Sequence, residues 1–214
     1  MTISKYIEDD LDWRHAELVS LKKLVSDADK DSVRQVALLR ALWALLYAHY
    51  EGFCKYAWDL YLEFLQKEGV KRKDCEPHII KLSLLKDFKE MRGDLSPTSI
   101  MDFCEKKYKL LLQDTIEFEI KLETESNLWP NLLRDNLILL GLPHVMVDTN
   151  ILKLKTLVKR RNDIAHGKKM IIKNLEEYKK YEEAAFSVMY ELALELVDSV
   201  EKKKHLKPSC SYCI

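Results

Sequence analysis

The run Arg160-Arg161-Asn162-Asp163-Ile164-Ala165-His166-Gly167 brings two guanidinium groups, an amide and an imidazole into one short stretch. These are the groups needed to hold and cleave a phosphodiester. In a helix, Asn162 and His166 stand four apart on one face, while Arg161 lies about 140° round the axis and converges only through its length. Gly167 suits the position just past a helix C-terminus, which puts His166 in the last turn beside the negative end of the helix dipole. A protonated imidazole is favoured there, and a histidine pKa can lie in the range useful for general acid or base work. RNA carries a 2'-hydroxyl that can attack the adjacent phosphorus once deprotonated. A histidine acting as base or acid and an arginine on the phosphate oxygens are then sufficient, with no metal, no cofactor and no protein nucleophile. Asn162 would orient His166 or hold a phosphate oxygen. Arg160 competes with Arg161 for the same role, and the polar neighbour Asn162 favours Arg161. Simpler readings stand beside this one: Arg161 paired with a carboxylate inside a bundle, and His166 capping the last carbonyls.

Two further segments join this one. Ala48-His49-Tyr50-Glu51-Gly52-Phe53-Cys54-Lys55 lies on an earlier helical stretch, and Ser126-Asn127-Leu128 precedes Ile164-Ala165-His166-Gly167. Arg161, a polar residue, three more residues and then His166 resemble the Rx4-6H motif of the HEPN superfamily (higher eukaryotes and prokaryotes nucleotide-binding), and the ordered set of segments is similar to its MAE-type nuclease branch. The likeness runs from about Arg34 to about Leu196. It implies an all-helical fold, a homodimer with the motif helices facing each other, and an endoribonuclease that often needs no metal. A two-fold dimer would supply His166 and Arg161 twice in one cleft, giving the two imidazoles that full acid and base catalysis wants. The resemblance also implies a toxin or anti-phage effector acting on RNA, with an antitoxin protein as a further partner. Glu51, with His49 nearby, is a candidate supporting carboxylate that fixes Arg161 or His166 from the neighbouring helix; the alternative makes it one member of the exposed stripe Glu51, Lys55, Asp59.

With 214 residues, 47% hydrophobic and 33% charged, the chain suits one sizeable domain with a packed core. Net charge is formally zero, so a polyanion site must come from local clustering. Lys153, Lys155, Lys159, Arg160, Arg161, Lys168, Lys169 and Lys173 face a lone Asp163 between residues 153 and 173, a local charge of +7. Lys159, Arg160, Lys168 and Lys169 are the candidate RNA-binding residues. Five cysteines and an acidic N-terminus, with Glu8, Asp9, Asp10 and Asp12, suit a reduced, cytoplasmic chain. Cys210-x-x-Cys213 is half of a zinc pattern without a second pair, so no metal is expected. The longest nearly uncharged run, Ala41 to Tyr50, is half a membrane span, and no membrane partner is expected. Gly-rich phosphate loops and nucleophile elbows are absent from the sequence, which leaves triphosphatases and serine hydrolases unsupported.

Apolar periodicity predicts a first helix over Lys5–Ser26 and a very long central one over Ser32–Gln66, in which Ala44, Ala48 and Gly52 form a small-residue stripe open to close backbone approach. Pro77 and Pro97 sit where first-turn prolines belong and predict helices over His78–Met91 and Thr98–Leu112. Thr115–Leu122 alternates apolar and charged residues, as a short extended piece or small hairpin arm would. Helices over Pro130–Leu140, a motif helix capped by Asp148 or Thr149, and a last helix over Asn174–Lys203 complete the chain. Residues from about 204 to 214 read as a frayed tail. The whole is expected to be one all-α domain, an antiparallel bundle with an inserted helical segment over about 69–142. The rival functions are a noncatalytic HEPN-type helical module that binds RNA, a nucleotide or a protein partner, and a helical scaffold subunit with an acidic partner. Burial of Arg161 and His166 against intrachain partners would favour these; exposure in a shared two-fold cleft would favour the nuclease.

Overall fold

The computed structural model describes residues 1–208; Cys210 and Cys213 lie outside them. Two long helices open the chain: α1 (Ile3–Ser26) and α2 (Val33–Lys67). The Thr2 hydroxyl accepts from the Lys5 N–H and the Ser32 hydroxyl from the Gln35 N–H, so each helix starts on a side-chain oxygen that satisfies an otherwise orphaned donor. Both expected ranges are met to within two residues, because no proline occurs before Pro77 to stop either helix.

α2 is the centre of the bundle. Trp43, Leu46, Tyr50, Phe53, Trp58 and Tyr61 are all buried along it. α1 runs antiparallel to α2, with Trp13 edge-on to His49 and Tyr6 on Phe64. The last helix, α10 (Leu175–Glu201), runs in the same sense as α2: Trp43 meets Tyr181, and farther along Tyr61 Oη lies 2.9 Å from Ser199 Oγ. The motif helix is α9 (Ile151–Ala165), preceded by the short α8 (Val145–Thr149). It returns antiparallel along α10, since Arg160 reaches Glu177 at one end and the Met146 N–H donates to Glu191 at the other. Trp43 Nε1 donates to the Leu157 carbonyl at 3.1 Å and ties α9 to the central helix. These four long helices form the all-α antiparallel bundle that the sequence predicts. Among the described residues no helix is long and apolar enough to cross a membrane.

Residues between α2 and α8 fold as a block on the side of the bundle: α3 (Pro77–Ser83), α4 (Leu85–Met91), α5 (Pro97–Asp102), α6 (Tyr108–Leu111) and α7 (Pro130–Leu140). Pro77, Pro97 and Pro130 each begin a helix, where a missing N–H costs nothing. The single helix expected over His78–Met91 is broken at Leu84 (φ −108°, ψ 11°), and the one expected over Thr98–Leu112 contains a π turn at Phe103–Lys107. Ile116 and Leu122 are buried and Phe118 and Ile120 half-buried, while Glu117, Glu119 and Lys121 are exposed. The alternation is therefore as predicted, and of the two expected forms the segment takes the short extended piece, bridged to Lys71 at Thr115. One-sided burial is enough to impose the period without a sheet.

Two expectations are corrected here. Residues 204–208 are packed rather than frayed: His205 is fully buried, its carbonyl accepts from the Glu76 N–H, and the Lys207 N–H donates to the Asp74 carbonyl. Main-chain bonds of this kind leave no side-chain pattern to read. Gly52, placed in the small-residue stripe, is instead filled by α1, since a Cβ there would stand 3.0 Å from Arg14 Nη1. Arg14 is itself held by Asp10, Nε to Oδ2 at 2.6 Å. Ala44 remains half-buried and Ala48 exposed.

Candidate active site

The motif helix ends in two paired backbone bonds, Gly167 N–H to the Ile164 carbonyl at 3.0 Å and Lys168 N–H to the Asp163 carbonyl at 2.9 Å. Gly167 takes φ 74°, a left-handed conformation that costs a Cβ-bearing residue more than glycine. His166 is consequently the C-cap residue, one position beyond the last helical residue, Ala165. Its side chain is exposed, and no hydrogen bond holds the ring among the described residues. The cap at the other end differs from the expectation: Asp148 and Thr149 belong to α8, and α9 starts after Asn150, whose amide donates back to the Met146 carbonyl.

Arg161 is half-buried and held from three sides. Nη1 donates to Asn127 Oδ1 at 2.8 Å and to Asn162 Oδ1 at 2.9 Å, and the guanidinium carbon stands 4.5 Å over the Tyr47 ring. Every partner is neutral. Arg160, next to it, has the opposite character: Nη1 lies 2.7 Å from Glu177 Oε1, and the guanidinium carbon stands 4.9 Å from the Trp43 ring and 5.6 Å from that of Tyr181. A carboxylate and two aromatic rings hold that side chain within the bundle.

Of the two supporting candidates, only Glu51 comes near this group. It lies beside Tyr47, one turn earlier on α2. Burial pushes the Tyr47 phenol well above its ordinary value, and the neighbouring Glu51 carboxylate pushes it further. Lys55 Nζ stands 2.5 Å from Glu51 Oε1, so the residue is also a member of the expected charged stripe. His49 does not belong here. Two residues from Tyr47, it points roughly 200° away round the helix, where it is 3% exposed among Arg14 Nη1 (3.4 Å), Glu17 (3.0 Å) and Trp13. Burial and then the adjacent Arg14 charge hold its pKa below the usual value. His49 therefore packs between α1 and α2 and is not brought to Arg161; it shares a helix with Glu51, but the helix turn separates them.

A family model described as HEPN_MAE_28990-like HEPN matches residues 3–205 of this chain. The chain belongs to the HEPN family. No curated protein and no solved structure matches it.

On this HEPN fold the three segments quoted above converge. Ser126-Asn127-Leu128 meets α9 through the Asn127–Arg161 bond and meets α2 through the Leu128 N–H, which donates to Tyr47 Oη at 2.8 Å. Tyr47 and Tyr50 are core residues, 1% and 0% exposed, and the Tyr47 ring also lies under the Arg161 guanidinium. Asn127 and Tyr47 were not recognised as site residues from sequence. A signal for Asn127 existed in the resembling segment itself, and Tyr47 stands one turn before Glu51. Of the basic cluster, Lys159, Lys168 and Lys169 are exposed. Lys168 pairs with Asp163 at 2.6 Å and, chiefly through that hydrogen bond, lowers the carboxyl pKa.

Proposed function

We propose that this HEPN protein is a metal-independent endoribonuclease. Arg161 holds the scissile phosphate, and His166 transfers the proton to or from the 2'-hydroxyl or the leaving oxygen. Asn162 acts from beneath as a partner of Arg161. A single observation carries the reading: Arg161 is oriented by two amide oxygens and an aromatic ring and by no carboxylate among the described residues, while the nearby His166 is exposed and unheld. An arginine serving only the bundle is ordinarily paired with a carboxylate when taken from water, as Arg160 is. One held by neutral groups keeps its charge for an anion.

The cleft itself is a homodimer in this reading. Two grooves, one between α2 and the extended segment lined by Asp59, Gln66 and Phe118 and the other in the inserted block lined by Arg72, Ser83 and Asn136, contain neither Arg161 nor His166. A two-fold contact through the face of Asn162 and His166, with the exposed Ala48 at its edge, would bring two imidazoles together. A cytoplasmic toxin or anti-phage effector, restrained by an antitoxin protein, is the role that suits such an activity. The noncatalytic reading draws on the intrachain bonds of Arg161; it leaves the exposed His166 without a purpose.

Purified protein is expected to cleave single-stranded RNA in the presence of a chelator and to leave cyclic phosphate or 3'-phosphate ends, because an acid, a base and a cation suffice. DNA of the same sequence should resist, lacking the internal nucleophile. Loss of cleavage with chelator, restored by a divalent ion, overturns this mechanism.

The surface lysines give a second test. RNA affinity should fall steeply with salt, and Lys159→Ala or Lys169→Ala should each shrink the slope of log affinity against log salt by about one. Arg160→Ala should instead lower stability by roughly 1.5–3 kcal/mol, the range for a hydrogen bond to a charged group, with the salt slope intact. Filter binding across a salt series and thermal melting separate the two. Salt-independent binding would favour a protein partner over RNA.

A further inference from the structure

The turn that carries Asn127 is built at a cost. Glu125 and Ser126 take φ 42° and 74° in succession, a left-handed pair that neither residue adopts readily. Backbone bonds close the turn around them: the Asn127 N–H donates to the Thr124 carbonyl at 2.7 Å and the Trp129 N–H to the Asn127 carbonyl at 2.9 Å. Leu128 is fully buried and its N–H is bound by Tyr47 Oη. This arrangement aims the Asn127 side chain at α9, where its Oδ1 accepts a hydrogen bond from Arg161 Nη1 and lies 3.5 Å from Tyr47 Oη.

From this geometry we infer that Asn127 is a positioning residue, whose neutral oxygen aims the Arg161 guanidinium at a substrate phosphate without cancelling its charge. The inference rests on the reading of Arg161 as the phosphate-holding group. Among the described residues the hydrogen bonds of Arg161 leave from Nη1, so Nε and Nη2 remain for two phosphate oxygens in the fork geometry that guanidinium groups favour. A carboxylate in place of Asn127 would orient the arginine as well and hold it more tightly, yet would spend the charge that an anion needs. The amide supplies direction alone, and Asn162 does the same from the motif helix. Tyr47 completes the clamp: its ring limits the guanidinium from below, and its hydroxyl pins the turn.

Asn127→Asp and Asn127→Ala separate this role from a merely structural one. The full chain is assayed three ways: thermal melting, affinity for a non-cleavable 2'-O-methyl single-stranded oligonucleotide over a salt series, and cleavage of the matching RNA. Asn127→Asp should melt no lower than the wild type, since its bond to Arg161 becomes charge-assisted. Its oligonucleotide affinity should nevertheless drop with a salt slope smaller by about one, and its cleavage should fall by at least about a hundredfold, as for a lost charge-stabilising donor. Asn127→Ala removes the direction and leaves the charge, so kcat should fall while the salt slope stays that of the wild type. A structural role predicts the reverse for the aspartate, with binding and cleavage at or above wild type, and that result overturns the inference. So does wild-type kcat in Asn127→Ala. Should the wild type bind the oligonucleotide but cleave nothing, the ribonuclease reading fails while the clamp is judged on the affinity comparison; absence of binding removes both.

Discussion

His166→Ala should lower RNA cleavage by at least about a hundredfold, the lower bound for losing a general acid or base, with melting unchanged to within about half a kcal/mol. The stability half of this expectation follows from where the residue sits: His166 is exposed at the C-cap, and its backbone N–H, not its ring, makes the bond to the Asn162 carbonyl. Arg161→Ala should cost about a hundredfold to a thousandfold in rate, as for a lost oxyanion-stabilising donor. It should also cost stability, about 1 kcal/mol, because two amide oxygens lose their donor and Tyr47 loses its cation. Arg161→Lys keeps the charge but not the fork, and should recover folding more than rate. The measurement is single-turnover cleavage beside a thermal melt. If His166→Ala cleaves like the wild type, the imidazole is a helix cap and the nuclease reading is wrong.

Subunit mixing should give the other large effect. Light scattering is expected to report about twice the 25.2 kDa chain mass. Homodimers of His166→Ala have two arginines and no imidazole in the shared cleft, and homodimers of Arg161→Ala the converse. A mixed dimer holds one of each, so mixing two inactive preparations under exchange conditions should raise activity well above either alone. Restoration by mixing cannot come from a site contained in one chain. Activity that never exceeds the average of the two parents, or a strictly monomeric protein that still cleaves RNA, excludes the composite cleft.

Much of the fold was legible because its determinants are local. α1, α2 and α10 announce themselves by apolar period, by Thr2, Ser32 and Asn174 whose side-chain oxygens cap them, and by the absence of proline inside. Gly167 marked the end of α9 for a reason that involves only its own backbone. The break at Leu84 and the packed 204–208 segment were not legible, since both depend on main-chain geometry set by neighbours distant in sequence.

For the candidate site the division follows the same physics. Sequence alone determined that an arginine, an asparagine and a histidine share the end of one helix, and that the chain has the ordered segments of its family. It favoured Arg161 over Arg160 only through the polar neighbour Asn162, because adjacent residues have the same chemistry and differ in direction by about 100°. The bundle gives the two directions different surroundings: one meets Glu177, Trp43 and Tyr181, the other Asn127, Asn162 and Tyr47. It also turned His49 toward α1 while leaving Glu51 beside Tyr47, and brought Asn127 to Arg161 across 34 residues of chain. Whether a charge is cancelled or kept depends on which group stands opposite it, and that is a property of packing between elements.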